Sequence, residues 1–470
     1  MVKFLKKRQS QNTSPDTDGQ PLPTFNNLSA IAVVVGIVIG IGIFRLPQMV
    51  AQHSPTVYYY IGFWVLGGLI SVIGALCYAE LASNNPDAGG EYYFLRRAFG
   101  PAVGFLFSWG RMTVIQTGSI ALAAFILGDY ATVIYNLGSH SSSIYAAITI
   151  VGLTSLNIGG THPSKKVQTF IAALVAGILI LAGIAGLFAD PVPSATAHST
   201  GSFSYGSAGT AMIFVLLTYG GWNEGVYLSA EIQNVRKNMW RVLLAGLGII
   251  TLIYVLINLA YLHVLGLETL RQTDTIGVRL SNQLIGSGGS IVMAIVIIIS
   301  ALSTANATII TGARTNYALG RDFRLLKYIG RWNSTYNTPI QALVVQGSIA
   351  LGLVLMGNFT PEAVSTMVDY TAPVFWLFIL LTTSSLFIFR HRFQPDRLAF
   401  RVPLYPLTPI LFIMVCLYLL YSSIVFTGWG SLVGIGILLL GIPIYYVAKG
   451  KNTTLVSTSR HTSRHHKADY

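Results

Sequence analysis

Apolar runs of about 20 residues recur along nearly the whole chain, and this pattern constrains the fold more than any other feature. A helix of about 20 apolar residues is long enough to cross the hydrocarbon core of a bilayer. We predict twelve such spans, at residues 28–52, 57–82, 100–128, 143–160, 166–189, 208–232, 240–266, 288–316, 339–357, 364–388, 404–426 and 429–448. The chain is therefore predicted to be an all-α polytopic membrane protein.

The composition excludes a soluble domain. Charged residues make up 10% of the 470 residues and hydrophobic residues 53%, whereas an ordinary soluble domain carries about 25% charged residues. The two cysteines, Cys77 and Cys416, each lie alone in an apolar run, without the spacing of a metal site. We therefore expect both to be packing residues, and we expect neither a metal nor a cofactor.

The net charge of +13 comes from lysines and arginines that follow the predicted topology. With twelve spans and both termini cytoplasmic, nearly all of them fall in cytoplasmic segments, and only Arg271 and Arg279 fall in outer loops. Lys and Arg are enriched on the cytoplasmic side of membrane proteins. The basic excess therefore predicts orientation in the cell membrane, and nucleic acid is not an expected partner.

Two of the spans contain residues that weaken a helix at mid-membrane depth. The first span carries Gly36, Gly40 and Gly42 with Pro47 close behind, and the sixth carries the pair Gly220–Gly221. Glycine costs about 1 kcal/mol relative to alanine inside a helix. Non-helical backbone at this depth is tolerated only where it is buried in protein or lines a cavity.

The first and sixth positions correspond if the first ten helices form two five-helix halves. Matched interruptions in two halves are the best sequence pointer to the central site of a transporter. Unwound N–H groups attract a carboxylate, and half-helix carbonyls attract an ammonium or a cation. The alternative is that the glycines, such as Gly36 and Gly40, only allow close helix packing.

Four motifs resemble the amino acid–polyamine–organocation superfamily, and its L-type amino acid transporter branch in particular. They are Gly40–Phe44, Leu76–Leu81 followed by Pro86–Tyr93, Tyr219–Asn223 followed by Glu231 and Arg236–Asn238, and Arg314 with Tyr317–Asp322. They follow the order of the family. The resemblance covers residues 36 to 322, and the later spans add hydropathy alone.

The resemblance implies a 5+5 inverted repeat of the LeuT type, followed by two C-terminal helices. The expected organisation is a disordered cytoplasmic tail (1–27), a transporter core of helices 1–10 (28–388), helices 11 and 12 (389–448) and a second cytoplasmic tail (449–470). The resemblance also implies how the substrate binds at the two breaks. Its carboxylate is expected to accept from backbone N–H groups, and its amino group is expected to donate to backbone carbonyls. The implied substrate-binding residues are Ile37, Val38, Ile39, Gly40, Ile41, Gly42, Ile43, Thr218, Tyr219, Gly220, Gly221 and Asn223. Asn223 is expected to contact the substrate or to hold the unwound turn.

The chain departs from the family pattern at three positions. Ile37 and Ile41 replace the small hydroxyl residues that are frequent in the L-type branch, which predicts a narrower and more apolar pocket. Val175 stands where some members carry a lysine proposed as a proton carrier. Proton coupling by that route is not expected, and exchange or sodium coupling stays open.

Charged residues inside spans are expected to be functional, because a charge at the bilayer centre is costly. Arg45 follows the first break and Glu224 follows the second, so we predict that they pair near the outer gate. Arg111 in the third span is expected to pair with Glu80, or to line the inner vestibule. The alternative is that each side chain snorkels or pairs elsewhere.

These observations favour a secondary active transporter, a symporter or exchanger of neutral amino acids that works by alternating access. A transporter of polyamines or other small organic cations is the alternative, followed by a channel or receptor. A membrane enzyme is not expected, because the sequence carries no HExxH motif or comparable catalytic cluster. The expected partners are the amino acid and the lipid bilayer. The predicted outer loops carry no obvious cysteine that could link the chain to an accessory glycoprotein, so the sequence gives no sign of such a subunit.

Overall fold

The computed structural model describes residues 26–87, 89–160, 165–190, 204–229, 232–392 and 399–462. Most of the predicted first tail and the end of the second lie outside these residues. The α-helices are α1 (Asn27–Val38), α2 (Leu46–Gln52), α3 (Val57–Asn84), α4 (Gly90–Phe99), α5 (Pro101–Gly110), α6 (Gln116–Ile134), α7 (Ser141–Ile158), α8 (Lys165–Phe188), α9 (Tyr205–Thr218), α10 (Val235–Gln272), α11 (Ile276–Ile285), α12 (Ser287–Asp322), α13 (Ile340–Asn358), α14 (Ala363–Arg392), α15 (Leu407–Val425) and α16 (Gly430–Thr462).

Ten of the predicted spans are continuous helices that are long and apolar enough to cross a membrane, within the described part of the chain. The third span consists of α5, a π-helical segment (Arg111–Ile115) and α6, which run on without a break from Pro101 to Ile134. The remaining two predicted spans, the first and the sixth, are the ones expected to be broken. The predicted all-helical fold is therefore confirmed.

Each broken span contains a helix that is too short to cross a bilayer. α1 has 12 residues and α9 has 14. At 1.5 Å per residue these helices measure roughly 18 Å and 21 Å, against about 30 Å of hydrocarbon. The Asn26 side chain caps α1 by accepting from the Ser29 N–H. At its C-terminal end α1 is closed by the backbone N–H of Ile39, after which the chain leaves helical geometry.

The two broken spans run antiparallel. α2, which follows the first break, packs against α9, which precedes the second. α1, which precedes the first break, packs against the segment Trp222–Leu228 that follows the second. Residues just beyond the two breaks therefore point to opposite faces of the molecule.

We name these faces by their contacts. The basic face is where α3 ends and α4 lies; there Asn84 bonds to Ala399 and Phe400. The opposite face is where α2 ends; there Arg271 donates to the carbonyls of Ala51 and Ser54. On the basic face α16 continues as a helix to Thr462. The second tail, predicted to begin at residue 449, is therefore helical in its first part.

Candidate functional site

The first span leaves helical geometry after Val38. Ile39 closes α1 by donating to the Val35 carbonyl, and Gly40 is extended, with φ −106° and ψ −165°. A short 3-10 turn, Ile41–Phe44, then leads to α2. The N–H groups at the start of a helical turn have no partner within it. The 3-10 bonds begin with the N–H of residue 43, so the first break presents the backbone donors of residues 41 and 42.

The second break is centred on Gly221, whose φ of +105° lies in the left-handed region. The Gly220 N–H donates to the Leu217 carbonyl, so α9 ends in a tight turn. The backbone then continues as a 3-10 segment, Trp222–Leu228. A side chain at φ near +105° is strained, so glycine is required at residue 221.

The two breaks are packed against each other. A Cβ added to Gly42 would lie 3.6 Å from the Cα of Thr218, and one added to Gly221 would lie 3.2 Å from the Ile37 carbonyl oxygen. Four glycines, Gly40, Gly42, Gly220 and Gly221, are half-exposed, whereas the adjoining residues Val38, Ile39, Ile41, Ile43, Thr218 and Tyr219 are buried. Backbone at the junction is thus accessible while its side chains are packed away.

The Tyr254 hydroxyl links the two breaks directly. It lies 2.9 Å from the Val38 carbonyl and 3.2 Å from the Thr218 carbonyl, the last residues of α1 and α9. Tyr254 is buried on α10 and packs edge-on against Tyr219 and Trp64. Sequence reasoning missed this residue, because a tyrosine in an apolar run gives no signal of which carbonyls it meets.

Asn223 makes the contacts of one of its two expected roles, that of holding the unwound turn. Its Oδ1 accepts from the Gly221 N–H at 3.3 Å, and its Nδ2 lies 3.4 Å from the Glu91 carboxylate. Glu91 lies on α4, on the basic face. The turn at the second break is therefore connected to a carboxylate outside the membrane-spanning helices.

Arg111 is buried in the π-helical segment of the third span. Its Nη2 lies 2.8 Å from Glu224, and its Nη1 lies 3.7 Å from Glu91 and 3.1 Å from the Tyr227 hydroxyl. The Gln116 amide is assigned with its oxygen toward Arg111, 2.9 Å from Nη2. Such π-helical turns are frequent at functional sites. We call Arg111, Glu91, Glu224 and Tyr227 the Arg111 cluster.

Arg45 lies on the opposite face with three carboxylates. Its guanidinium is 2.6 Å from Asp274, 3.3 Å from Glu362 and 3.4 Å from Asp129, and it also donates to Gln48. These partners come from the α10–α11 connection, the residue before α14, and α6. We call this group the Arg45 cluster.

Both predicted ion pairs are therefore wrong in their partners. Arg45 does not meet Glu224, because the antiparallel spans send the residues after the two breaks to opposite faces. Arg111 pairs with Glu224 and Glu91 instead of Glu80. Glu80 is bound by Arg390, with two contacts of 2.6 Å, and by the Val402 N–H.

Other polar residues near the breaks make protein contacts. Thr304 on α12 is near Gly40: its Oγ1 would lie 4.0 Å from an added Cβ. On the same helix Asn306 accepts from Asn157. Val175, which the sequence resemblance aligns with a lysine position of the superfamily, is buried on α8. The described residues contain no group of three His, Cys, Asp or Glu side chains arranged to hold a metal.

Comparison with known proteins places this architecture in one family. Residues 25–448 match the amino acid permease family. The chain is 28% identical to the mouse b(0,+)-type amino acid transporter 1, covering 89% of this chain and 86% of that protein. It is 29% identical to the serine/threonine exchanger SteT of Bacillus subtilis, covering 91% and 97%. It is 26% identical to the human cystine/glutamate transporter, covering 89% and 84%.

A helical bundle with two matched breaks defines a membrane transporter. The chain belongs to the amino acid permease family, because the family match covers most of its length. It is a multi-span amino acid transporter and not an enzyme. The family assignment also confirms the resemblance that the four motifs indicated.

Proposed function

We propose that this chain exchanges neutral amino acids across the cell membrane and binds them where its two broken spans meet. The observation that carries the proposal is the cluster of half-exposed glycines, Gly40, Gly42, Gly220 and Gly221, at the contact between the breaks. Accessible backbone inside a membrane protein is costly unless it lines a cavity. Similarity to a serine/threonine exchanger supports the exchange mode.

The backbone at the breaks suits the groups that all amino acids share. Free N–H groups at residues 41 and 42 are donors for the α-carboxylate. Carbonyls at the ends of α1 and α9 are acceptors for the α-ammonium. The Thr218 carbonyl accepts from Tyr254 and keeps a second lone pair for the ammonium, whereas the Val38 carbonyl already accepts from both Tyr254 and the Gly40 N–H.

The charges near the breaks favour substrates with neutral side chains. Glu224 is the carboxylate nearest in sequence to the second break, and it pairs with Arg111 at 2.8 Å. Ile37 is exposed beside Gly221 and narrows the space with an apolar side chain. A cationic or strongly polar side chain would therefore lose hydration without gaining a free partner.

We place both termini in the cytoplasm and the opposite face outside, following the distribution of lysine and arginine. The Arg45 cluster would then close the site from outside and the Arg111 cluster from inside. Alternating access would require each cluster to separate in turn. Both are formed in the same structure, as expected for a state that is closed on both sides.

The test is exchange in liposomes that contain the purified full chain. Vesicles loaded with unlabelled L-serine should take up labelled L-serine saturably, and empty vesicles should take up much less. Competition by the other amino acids would define the substrate range. Saturable uptake of labelled putrescine by these vesicles, without exchange of any amino acid, would contradict the proposal and favour an organic cation transporter.

A matched pair of glycine variants tests the location of the site. A Cβ at Gly40 has no contact closer than 3.9 Å, so Gly40→Ala fits this structure yet adds a methyl group to the half-exposed junction. Gly62→Ala, on exposed α3 surface with no neighbour within 4 Å, is the control. We expect Gly40→Ala to raise KM at least several-fold while Gly62→Ala behaves as wild type. If Gly40→Ala and Gly62→Ala have the same KM, the substrate does not bind at the first break.

A further inference from the structure

Glu91 is a buried carboxylate of the Arg111 cluster, and the transport proposal gives its charge state no role. It lies on α4, outside the membrane-spanning helices, and its side chain is 4% exposed. Its Oε1 accepts from the Tyr78 hydroxyl at 2.8 Å, and its Oε2 accepts from the Tyr227 hydroxyl at 3.3 Å. These neutral donors hold the carboxylate in place but supply no positive charge.

The one cation beside Glu91, among the residues that the structure describes, is shared with a second carboxylate. Arg111 makes its short contact, 2.8 Å, with Glu224, and lies 3.7 Å from Glu91. The cluster thus has two carboxylates for one guanidinium. When like charges share a buried site, protonation of one carboxylate relieves the excess.

The groups that face Glu91 come from three elements: Tyr78 on α3, Arg111 in the π-helical segment, and Asn223, Glu224 and Tyr227 in the segment after Gly221. α5 and α14 pack on other parts of α4: Gly104 lies against Arg96, and Phe389 packs on Phe94. Burial raises the pKa of Glu91 to about 7, and this effect is larger than the lowering by Arg111.

We propose that Glu91 is a proton-binding site linked through Asn223 to the unwound turn at the second break. The deprotonated carboxylate accepts from Asn223, whose Oδ1 in turn holds the Gly221 N–H. A proton on Oε2 makes that oxygen a donor, so the Tyr227 hydroxyl must rotate to accept it, and the neutral carboxyl holds Asn223 less strongly. Proton occupancy at α4 thereby biases the conformation of the turn at Gly221.

Infrared titration of the purified full chain tests proton binding without any substrate. The wild type should lose a protonated-carboxyl band as the pH rises through about 7. Glu91→Gln should remove this component, and Glu268→Gln, which changes an exposed carboxylate beside Arg271, should keep it. A component that persists in Glu91→Gln would overturn the proposal.

A second variant makes the assignment sharper. Glu224→Gln frees Arg111 to pair with Glu91 alone, so the midpoint of the band should shift to lower pH. If Glu91→Gln does not fold, Tyr78→Phe serves in its place: it removes a donor to the carboxylate and should shift the midpoint to higher pH. Midpoints unchanged in both Glu224→Gln and Tyr78→Phe would exclude Glu91 as the titrating group.

Thermal stability gives an independent readout. The folded pKa of Glu91, about 7, lies above its ordinary value of 4.5, so the folded state binds the proton more tightly than the unfolded state. Its contribution is therefore fully present below about pH 4.5 and is lost as the pH rises to about 7. Wild type should lose melting temperature over this interval, and Glu91→Gln should lose less. Identical slopes would count against the proposal.

The link to the turn is tested by exchange, and this part alone rests on the proposed function. The KM for L-serine should change through about pH 7 in wild type and in Glu268→Gln, but not in Glu91→Gln. If the carboxyl titrates but the KM does not change with pH, Glu91 is a proton site that is not linked to the turn. Absence of L-serine exchange in all variants would contradict the proposed function and leave the infrared result standing.

Discussion

Arg45 and Arg111 are equally buried, with side chains 4% exposed, but their carboxylate partners differ. On the opposite face Asp274 and Glu362 are 58% and 55% exposed and belong to connections between helices, whereas Asp129 on α6 is 21% exposed. On the basic face Glu91 is 4% exposed and Glu224 is 33% exposed. The same residue type thus has two well-exposed carboxylate partners out of three at one end, and at the other end a partner, Glu91, that is almost fully buried.

This difference determines how easily each cluster can separate. Asp274 and Glu362 can return to water when Arg45 leaves, and Asp129, which is 21% exposed, keeps its hydrogen bond from Ser142. Glu91 has no such access, so separation of the Arg111 cluster leaves a buried charge unless a proton arrives. The opposite face can therefore open at low cost, whereas opening at the basic face depends on the charge state of Glu91.

The largest effect is expected when Arg111 is removed. Arg111→Met leaves Glu91 buried without a cation, and breaking a buried pair in this way costs about 3–5 kcal/mol. Chemical unfolding of the purified chain measures the loss. Adding Glu91→Gln and Glu224→Gln to Arg111→Met should restore much of the stability, because no uncompensated charge remains. A triple variant no more stable than Arg111→Met would contradict the electrostatic explanation.

Double-mutant cycles test which charged residues interact energetically. Residues in one ion-pair network show coupling energies of about 0.5–3 kcal/mol. We expect Arg111→Met and Glu224→Gln to be coupled within this range. Arg45→Met and Glu224→Gln, on opposite faces, should be additive within about 0.5 kcal/mol. Coupling of Arg45 to Glu224 with none of Arg111 to Glu224 would reinstate the pairing predicted from sequence.

A smaller loss is expected at the other cluster. Arg45→Met removes a cation from the exposed Asp274 and Glu362, whose pairs contribute about 1 kcal/mol or less. It also removes the cation from Asp129, which is 21% exposed and stays hydrogen-bonded to Ser142. The stability difference from wild type should also shrink as salt is added, because exposed charges are screened. Thermal unfolding at low and high ionic strength measures both effects. A salt-independent loss as large as that of Arg111→Met would abolish the contrast between the clusters.

The smallest effect is expected between the two clusters, at Tyr254. Tyr254→Phe removes one hydroxyl proton shared by the Val38 and Thr218 carbonyls, and a single hydrogen bond contributes about 0.5–1.5 kcal/mol. We expect the free energy of unfolding to fall by an amount near the lower value. The KM for L-serine should rise by more than this small loss of stability would account for. The substitution keeps the aromatic ring and its packing, so an unchanged KM would show that the bridge does not shape the site.

Much of the fold could be predicted from sequence because it depends on local patterns. Span length and hydropathy located the continuous helices, and clustered glycines located both breaks. The breaks pack together, as Gly42 on Thr218 and Gly221 on Ile37 show. The family match over residues 25–448 confirmed the resemblance.

The ion pairs could not be predicted, because their partners are distant in the chain and depend on direction. Glu224 lies directly after the second break, but the antiparallel arrangement of the two spans takes it to the face away from Arg45. Glu91 was visible only as part of a family motif, and its burial depends on Tyr78, Arg111 and Tyr227 from three other elements. Tyr254 gave no signal at all.

The bond between Glu80 and Arg390 has a consequence for synthesis of the chain. Glu80 is at the end of the second span, is 2% exposed, and is held by Arg390 and the Val402 N–H. Both partners leave the ribosome more than three hundred residues after Glu80. Until then its carboxylate must stay hydrated or carry a proton. Glu80 can therefore become a buried, ionised carboxylate only after the tenth helix and the segment beyond it have been made, which sets a late step in assembly.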